Sequence, residues 1–208
     1  MKAKVVIVDD HKVLRSGLAL LLNQSPHFQV VAEASNGWEF VNLLSSIVPD
    51  VVLMDINMPV MDGIEATRQA LKKIPDLKIL VLSMHDEEEY YNTMINAGVK
   101  GFVLKETDHM ELEQAILSVL NDRPYFSQAL LLSLLKKKTT APEIAFSKRE
   151  AEILKLMSDG MVSTEIAKRM HMSLRTVEKT RSDLLFKTGT NNSISLILFA
   201  LRHKLITL

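Results

Sequence analysis

An apolar run that ends on a single carboxylate constrains the fold of this chain most strongly. Residues 51–54 are Val-Val-Leu-Met, and Asp55 follows them directly, before a turn that contains Pro59 and Gly63. A short apolar run between turn residues is typical of a parallel strand that is covered on both faces. Asp55 would then lie at the carboxyl end of that strand, the edge where open α/β sheets bind ligands. The alternative is an Asp that only caps the turn.

Three further apolar runs end in polar side chains: Asp9 and Asp10 after the first, Ser83 at the end of another and Lys105 after the last. Because the carboxyl ends of parallel strands share one edge, we expect these side chains to meet Asp55. Three carboxylates would repel one another unless a cation lay between them, and an oxygen-only ligand set suits Mg²⁺. The Ser hydroxyl and the Lys ammonium donate to anionic oxygens, which completes a phosphoryl-binding site.

These residues resemble the receiver domain of bacterial response regulators, and we expect that domain to cover residues 1–122. The resemblance implies a flavodoxin-like fold in which Asp55 accepts a phosphoryl group from a partner histidine kinase. It implies four ligands for Mg²⁺: Asp9, Asp10, Asp55 and the backbone carbonyl of Asn57. It implies that Ser83 and Lys105 bind the phosphoryl oxygens. It also implies a switch formed by Ser83 and Phe102. Phe102 departs from the family's Tyr or His, which could form a hydrogen bond when it turns inward.

Strand-like and helix-like stretches alternate through this region, which predicts a doubly wound α/β domain with a five-stranded parallel sheet. We expect strands at 4–8, 30–34, 51–55, 78–83 and 101–104, and helices near 12–23, 37–47, 63–73, 87–97 and 108–121. The first helix should turn one apolar set inward: Val13, Leu14, Leu18, Leu21 and Leu22. Lys12 and Arg15 should lie off that face.

A run of His85 and four acidic residues opens the predicted fourth helix. It could form a second metal site, but acidic residues are also stabilised in the first turn of a helix by its dipole, and we favour that interpretation. Tyr90 and Tyr91 are then expected near the surface that reports the phosphorylation state in this family. We likewise expect His11 to be a loop residue rather than a ligand.

The formal net charge of zero conceals an asymmetry between the two parts of the chain. Residues 1–122 hold 10 Lys and Arg against 18 Asp and Glu, which gives −8, whereas residues 123–208 hold 15 against 7, which gives +8. A basic second part suits a polyanionic partner, and intramolecular attraction between the two parts is also compatible with these charges.

Composition limits the classes of protein that fit. A length of 208 residues allows one or two domains, and 47% hydrophobic residues suffice for buried cores. The absence of Cys excludes disulfides and permits a reducing cytosol. No apolar run reaches the roughly 18–20 residues that cross a bilayer, and the first residues leave no room for a signal-peptide core. We therefore expect a soluble, cytoplasmic protein with no membrane partner.

Residues 123–143 are expected to link two domains. Gln128–Leu135 is typical of a short apolar helix, which should pack against one of the domains because exposure would create a large apolar patch. Lys136–Pro142 is typical of an exposed linker, whose lysines are either solvated or in contact with DNA phosphates.

Residues 144–208 predict a separate all-α domain of four helices, at about 148–158, 163–170, 174–187 and 193–203. Ser163 and Ser173 are candidate caps of the second and third helices. The short link Met172–Ser173 gives helix-turn-helix geometry, whose second helix enters the DNA major groove. The segments 146–154, 165–167 and 173–178 resemble the LuxR-type helix-turn-helix. With a receiver in front, the whole chain resembles a response regulator of the NarL/FixJ class.

The third helix of this domain carries the candidate DNA-binding residues. Val177 and Leu184 are seven residues apart and should face the core, which turns Glu178, Lys179 and Ser182 towards the groove. A second set is expected to hold phosphates: Arg175, Thr176 and Arg181. Glu178 and Thr180 depart from the family's usual Lys and His, and Thr188 and Thr190 replace aliphatic residues. Glu178 either accepts from cytosine in the groove or pairs with a neighbouring Arg.

The final helix is more apolar than a three-helix core requires: Ile194, Leu196, Ile197, Leu198, Ala200 and Leu201. It resembles the family's dimer helix, and the alternative is that it only closes the domain's own core. The resemblance implies these partners: a histidine kinase, double-stranded DNA and a second copy of the chain, with RNA polymerase left open. It also implies no enzymatic activity beyond phosphoryl transfer to Asp55 and its dephosphorylation.

Two other function classes fit the sequence less well. A hydrolase of the haloacid dehalogenase type uses a strand-end Asp with magnesium, but it needs a second Asp two residues later, where this chain has Asn57. A two-domain adaptor that binds protein through its helical part is disfavoured by the charge of +8 on that part.

Overall fold

The chain forms two compact units, Met1–Ser127 and Gln128–Leu208. This computed structural model describes residues 1–84, 88–126, 146–203 and 205–206, without the side chains of residues 88, 89 and 202. The acidic run at 85–87 and both parts of the expected linker, the apolar helix at 128–135 and the Lys-rich segment at 136–142, lie outside the described residues. Among the described helices, none is long and apolar enough to cross a membrane.

The first unit is built on a parallel sheet with the strand order β2-β1-β3-β4-β5-β6. The strands have these bounds: β1 Ala3–Val8, β2 Phe28–Ala34, β3 Val51–Asp55, β4 Ile79–Ser83, β5 Gly101–Leu104 and β6 Tyr125–Phe126. The central strand β3 is buried along its whole length, as the apolar run before Asp55 predicts.

The sixth strand corrects the predicted count of five. β6 has only two residues, too few to show a period in the sequence, and Phe126 lies opposite Phe102 of β5. The close approach of this strand requires glycine at position 101, because a Cβ there would overlap the carbonyl oxygen of Tyr125.

Five helices of the first unit connect the strands: α1 Lys12–Gln24, α2 Gly37–Leu43, α3 Gly63–Lys73, α4 Glu88–Ala97 and α5 His109–Leu120. Helix α2 ends four residues before its predicted end. The Ser46 hydroxyl donates to the carbonyl of Leu43 at 3.2 Å, so a side chain takes over the carbonyl where the helix ends.

The inward face of α1 differs from the predicted one. Val13 is 88% exposed and Leu21 is also exposed, whereas Leu22 is fully buried. The buried stripe is rotated towards Arg15, whose guanidinium donates to the carbonyl of Asp9 at 2.5 Å and lies 3.5 Å from the Glu33 carboxylate. These contacts hold Arg15 in a half-buried position that hydrophobic periodicity assigns to solvent, although its Nε forms no hydrogen bond.

The described helices of the second unit are α6 Lys148–Ser158, α7 Ser163–Arg169, α8 Leu174–Thr188 and α9 Ser193–Arg202. Their core includes Ile153, Ile166, Val177 and Leu184, all fully buried. The two threonines that replace aliphatic residues are accommodated by hydrogen bonds, since the Thr188 hydroxyl lies 2.7 Å from the carbonyl of Leu184 and 2.8 Å from the hydroxyl of Thr190.

Ser173 caps α8 as predicted, because its hydroxyl accepts from the backbone N–H of Thr176 at 3.1 Å. Ser163 does not cap α7. The residue before the helix is Val162, whose N–H donates to the Glu165 carboxylate at 3.1 Å, and the Ser163 hydroxyl instead accepts from Arg181.

Candidate functional site

The carboxyl edge of the sheet brings the predicted phosphoryl-site residues together. Strand β3 lies between β1 and β4, and β5 lies beside β4, so the ends of four neighbouring strands meet at one edge. Asp9, Asp55 and Ser83 are at most 1% exposed. These three buried side chains therefore lie at the same edge of the sheet as Lys105.

Lys105 joins the two buried carboxylates. Its ammonium lies 2.7 Å from Oδ2 of Asp55 and 2.9 Å from Oδ2 of Asp9. Burial lowers the pKa of Lys105, but the hydrogen bonds and charges of Asp55 and Asp9 outweigh it, so the pKa is raised above its ordinary value. The lysine is thus held as a cation beside the carboxylate that would accept a phosphoryl group.

Asp10 and His11 complete an acidic cluster at the mouth of this site. One ligand atom from each of Asp9, Asp10, His11 and Asp55 lies within 4.8 Å of the others. Nδ1 of His11 is 2.9 Å from Oδ1 of Asp10 and 3.2 Å from Oδ1 of Asp9, and the imidazole is mostly exposed. His11, which was predicted to be a loop residue, is therefore in contact with the carboxylates of Asp9 and Asp10.

The donor set of this cluster fits a hard divalent cation. The cluster has three carboxylates, and the ammonium of Lys105 contacts two of them, Asp9 and Asp55, which leaves negative charge at a site of oxygen ligands. The predicted fourth metal ligand is the backbone carbonyl of Asn57. Asn57 is exposed and follows Asp55 by two residues.

The turn after Asp55 packs tightly against the strand end. The N–H of Gly63 donates to the carbonyl of Ile56 at 2.8 Å, and a Cβ at position 63 would overlap the carbonyl oxygen of Asp55. Val60, at the tip of the turn, is 85% exposed and has a φ of 70°. Gly63 is therefore required by contact with the backbone of the candidate phosphoacceptor.

Ser83 lies against an aromatic side chain that the sequence prediction placed elsewhere. Tyr91 is not near the surface but fully buried, and its hydroxyl is 3.2 Å from Oγ of Ser83 and donates to the carbonyl of Met84 at 3.3 Å. The predicted switch residue Phe102 is also buried, and its ring packs edge-on against Tyr91 at 5.1 Å. The spacing of Tyr91, Met94 and Ile95 on α4 is the signal that could have placed Tyr91 inside.

Helix α8 presents most of the predicted DNA-binding residues to solvent: Arg175, Thr176, Glu178, Lys179 and Ser182. Val177 and Leu184 face the core, as their spacing predicts. The exposed set therefore occupies the side of α8 that is not packed within its own unit.

Arg181 is held differently from the other predicted phosphate ligands. Its guanidinium donates to the Ser163 hydroxyl of α7 and, at 2.5 Å, to the Ser193 hydroxyl of α9. Burial lowers the pKa of Arg181, and the negative charge of Glu178 acts in the opposite direction. Arg181 thus connects three helices, and its contact with phosphate stays a prediction.

The final helix places most of its apolar residues inside the second unit. Five of them are buried: Ile194, Leu196, Leu198, Ala200 and Leu201. Three of these five belong to the unit's core: Leu196, Ala200 and Leu201. This burial favours the closure of the core, whereas Ile197 is only partly buried.

Comparison with known proteins decides the family. Residues 5–117 match the response regulator receiver domain, and residues 145–200 match the bacterial regulatory proteins of the luxR family. The chain is a two-component response regulator of the NarL/FixJ class. A receiver domain together with a LuxR-type DNA-binding domain makes this response regulator a transcription regulator.

Relatives of this response regulator match it along nearly its whole length. The oxygen regulatory protein NreC of Staphylococcus aureus is 36% identical over 98% of this chain and 99% of its own. The transcriptional regulatory protein DegU of Brevibacillus brevis is 33% identical over 97% of this chain and 94% of its own.

Solved structures of RcsB are also similar. RcsB of Salmonella enterica serovar Typhimurium, bound to a promoter in the presence of the phosphomimetic BeF3−, is 26% identical and has a TM-score of 0.60 over 96% of this chain and 98% of its own. A structure of two RcsB dimers bound to two parallel DNAs has a TM-score of 0.61 at 26% identity, over 97% of this chain and 99% of its own.

Proposed function

We propose that this cytoplasmic response regulator accepts a phosphoryl group on Asp55 from a histidine kinase. The observation that carries the proposal is a buried carboxylate at a strand end whose Oδ2 lies 2.7 Å from the ammonium of Lys105. In the transfer, a carboxylate oxygen of Asp55 forms a bond to phosphorus while the bond from phosphorus to the kinase imidazole nitrogen breaks. Apart from this transfer and the later hydrolysis of the acyl phosphate, the chain catalyses no reaction.

The neighbouring residues have separate tasks in this proposal. Asp9, Asp10, Asp55 and the backbone carbonyl of Asn57 would hold Mg²⁺, which would supply positive charge that neutralises the phosphoryl oxygens. Lys105 donates to one phosphoryl oxygen from its place between the carboxylates, and the Ser83 hydroxyl donates to another. Phosphorylation then changes dimerisation and DNA binding through a switch that includes Ser83 and Phe102.

Phosphorylation is tested with Mg²⁺ and a small phosphodonor. The wild type should gain one acid-labile, hydroxylamine-sensitive phosphoryl group, and Asp55→Asn should gain none. Asp10→Ala should slow labelling, because the charge of the crowded oxygens is less well compensated. Full labelling of Asp55→Asn would exclude Asp55 as the acceptor.

The second unit binds double-stranded DNA through α8 in this proposal. Exposure of Glu178, Lys179 and Ser182 on one helix supports their contact with bases, and Arg175, Thr176 and Arg181 are the proposed phosphate ligands. If the Lys179 ammonium donates to guanine, Lys179→Ala should cost roughly 1–3 kcal/mol at the matched base and relax the preference there.

Selection of binding sites from random DNA tests this assignment. Glu178→Lys should raise general affinity and alter the preferred base, because it replaces an acceptor by a donor. Arg175→Ala is the matched control, since the loss of a phosphate contact should weaken all sequences alike. The assignment fails if Lys179→Ala and Glu178→Lys both select the wild-type motif.

We also propose a homodimer on phosphorylation or on DNA. RcsB occurs as dimers on DNA, and two copies would match half-sites about one helical turn apart. Light scattering of the protein with and without BeF3− tests this state, and a monomer under both conditions, on DNA as well, would contradict it. RNA polymerase is a further proposed partner of the DNA-bound form.

A further inference from the structure

The hydroxyls of Ser83 and Tyr91 form one hydrogen bond, in which either oxygen can be the donor. Oγ of Ser83 and Oη of Tyr91 are 3.2 Å apart, and the Tyr91 hydroxyl donates to the carbonyl of Met84 at 3.3 Å. A phenol has one proton, so when that proton is given to Met84 the bond between the two side chains must use the proton of Ser83. Ser83 is then the donor, and Tyr91 the acceptor.

A phosphoryl group on Asp55 would require that same proton. Ser83 and Tyr91 are both at most 1% exposed, so water does not readily replace either partner. The Ser83 hydroxyl can therefore donate to Tyr91 or to a phosphoryl oxygen, but not to both. We propose that Tyr91 is a positioning residue that holds Ser83 in the unphosphorylated arrangement, an inference that rests on the proposed phosphorylation of Asp55.

The ring of Tyr91 connects Ser83 to the end of the first unit. Tyr91 packs against Phe102 at 5.1 Å between ring centroids, and Phe102 packs against Phe126 at 5.8 Å. Phe126 ends β6 and precedes the residues that lead to the second unit. We call Tyr91, Phe102 and Phe126 the aromatic column.

Within the aromatic column, Tyr91 supplies the hydroxyl that Phe102 lacks. Phe102 has no hydroxyl with which to respond to Ser83, whereas Tyr91 bonds to Ser83 with its hydroxyl and contacts Phe102 with its ring. Closely packed side chains shift together, so loss of the Ser83 bond changes the packing of Phe102 and then of Phe126. The signal thus leaves the site through α4 and reaches β6.

The test measures binding of BeF3− with Mg²⁺ and the resulting gain in DNA affinity. Tyr91→Phe keeps the ring and removes the acceptor, so the affinity for BeF3− should rise by about two- to tenfold, the value of one hydrogen bond. The gain in DNA affinity on BeF3− binding should fall to the level of Ser83→Ala. Equal behaviour of Tyr91→Phe and the wild type in both measurements would overturn the proposal.

Tyr125→Phe is the matched control. It removes a hydroxyl that bonds to Glu111 at 2.9 Å, in the same unit and away from Ser83, and it should change neither measurement. In the Ser83→Ala background, Tyr91→Phe should have no further effect, because the two residues share the bond that is lost. Additive effects of the two substitutions would show that Tyr91 acts independently of Ser83.

Phe126→Leu separates the two ends of the column. It should leave the affinity for BeF3− unchanged and reduce the gain in DNA affinity, so an unchanged gain would exclude β6 from the route. Thermal unfolding of each variant verifies that the fold is retained. The proposed phosphorylation fails if the wild type does not bind BeF3−, or if Asp55→Asn binds it equally well. If Asp55→Asn abolishes the binding, additive effects of Tyr91→Phe and Ser83→Ala overturn only the role of Tyr91.

Discussion

Lys105 determines how two buried carboxylates coexist at the phosphoryl site. Asp9 and Asp55 are almost completely buried, and Lys105 lies within 3 Å of one oxygen of each. Removing one partner of a buried ion pair leaves an uncompensated charge, which costs more than the pair itself contributes. The same ammonium that would hold a phosphoryl oxygen therefore stabilises the folded site before phosphorylation.

Lys105→Met should lower the free energy of unfolding by about 3–5 kcal/mol, because the two carboxylates lose their shared cation. Mg²⁺ should restore more stability to this variant than to the wild type, since it binds the folded site and neutralises the same oxygens. Thermal unfolding with and without Mg²⁺ measures both effects. Lys72→Met, an exposed lysine of α3, is the control, and an equal loss in the two variants would contradict the argument.

Residues at strand ends were predictable from the sequence, and those held by side-chain contacts were not. Asp9, Asp55, Ser83 and Lys105 follow apolar runs, and the rule that parallel strands end at one edge brings them together. The bond between Tyr91 and Ser83 joins a helix to a strand, and no spacing along the chain reports it. The contacts of Arg181 with two serines of other helices were likewise not contained in the sequence pattern, and its predicted contact with phosphate stays a prediction.

At the scale of elements, periodicity located the helices and strands better than the faces they bury. The predicted α1 has nearly the observed bounds, yet its buried stripe is rotated towards Arg15 by contacts with the Asp9 carbonyl and Glu33. Strand β6 has two residues, which pair with Gly101 and Phe102 of β5. Both differences come from contacts distant in sequence, which a local pattern does not contain.

Arg181 connects α7, α8 and α9, so its removal should destabilise the second unit. Arg181→Ala leaves Ser163 and Ser193 without their donor and should cost about 1–3 kcal/mol. Denaturant unfolding followed by helical circular dichroism measures this loss. Arg175→Ala, at an exposed position of the same helix, should leave stability within about 0.5 kcal/mol but reduce the salt slope of DNA binding by about one. If Arg181→Ala left stability unchanged, as expected for Arg175→Ala, Arg181 would not be needed to hold the three helices together.

Glu150 makes the stability of the second unit depend on pH. The Ser147 N–H donates to its carboxylate at 2.6 Å and Lys187 lies 3.1 Å away, and these contacts, the backbone bond first, hold the pKa of Glu150 below its ordinary 4.5. A lowered folded pKa gives stability that is present above 4.5 and lost as the pH falls through the folded value.

Glu150→Gln should therefore unfold at a lower temperature than the wild type near neutral pH, and the difference should shrink below pH 4.5. Thermal unfolding across the acidic range measures it. Glu152→Gln, an exposed acid on the same helix, is the control. A difference that stays constant with pH would show that the charge of Glu150 does not contribute.

At the scale of the whole molecule, opposite charges are divided between two units. Residues 1–127 hold 11 Lys and Arg against 18 Asp and Glu, which gives −7, and residues 128–208 hold 14 against 7, which gives +7; each unit has its own buried core. One chain therefore carries both a basic unit that attracts DNA and an acidic unit that repels it. Their balance depends on ionic strength, because charges interact over about 10 Å at 0.1 M salt but only about 3 Å at 1 M.

Residues 144–208 alone should bind nonspecific DNA more tightly at low salt than the full chain does. The acidic unit repels the phosphates, and salt screens this repulsion as well as the attraction of the basic residues, so the full chain should have the shallower salt slope. The two affinities should converge as salt rises.

Asp76→Lys, at an exposed position of the first unit, makes that unit less acidic by two charges and should move the full chain towards the fragment. Titrations of both proteins over a range of salt concentrations measure these slopes, and equal slopes for chain and fragment would mean that the acidic unit has no electrostatic effect on DNA binding.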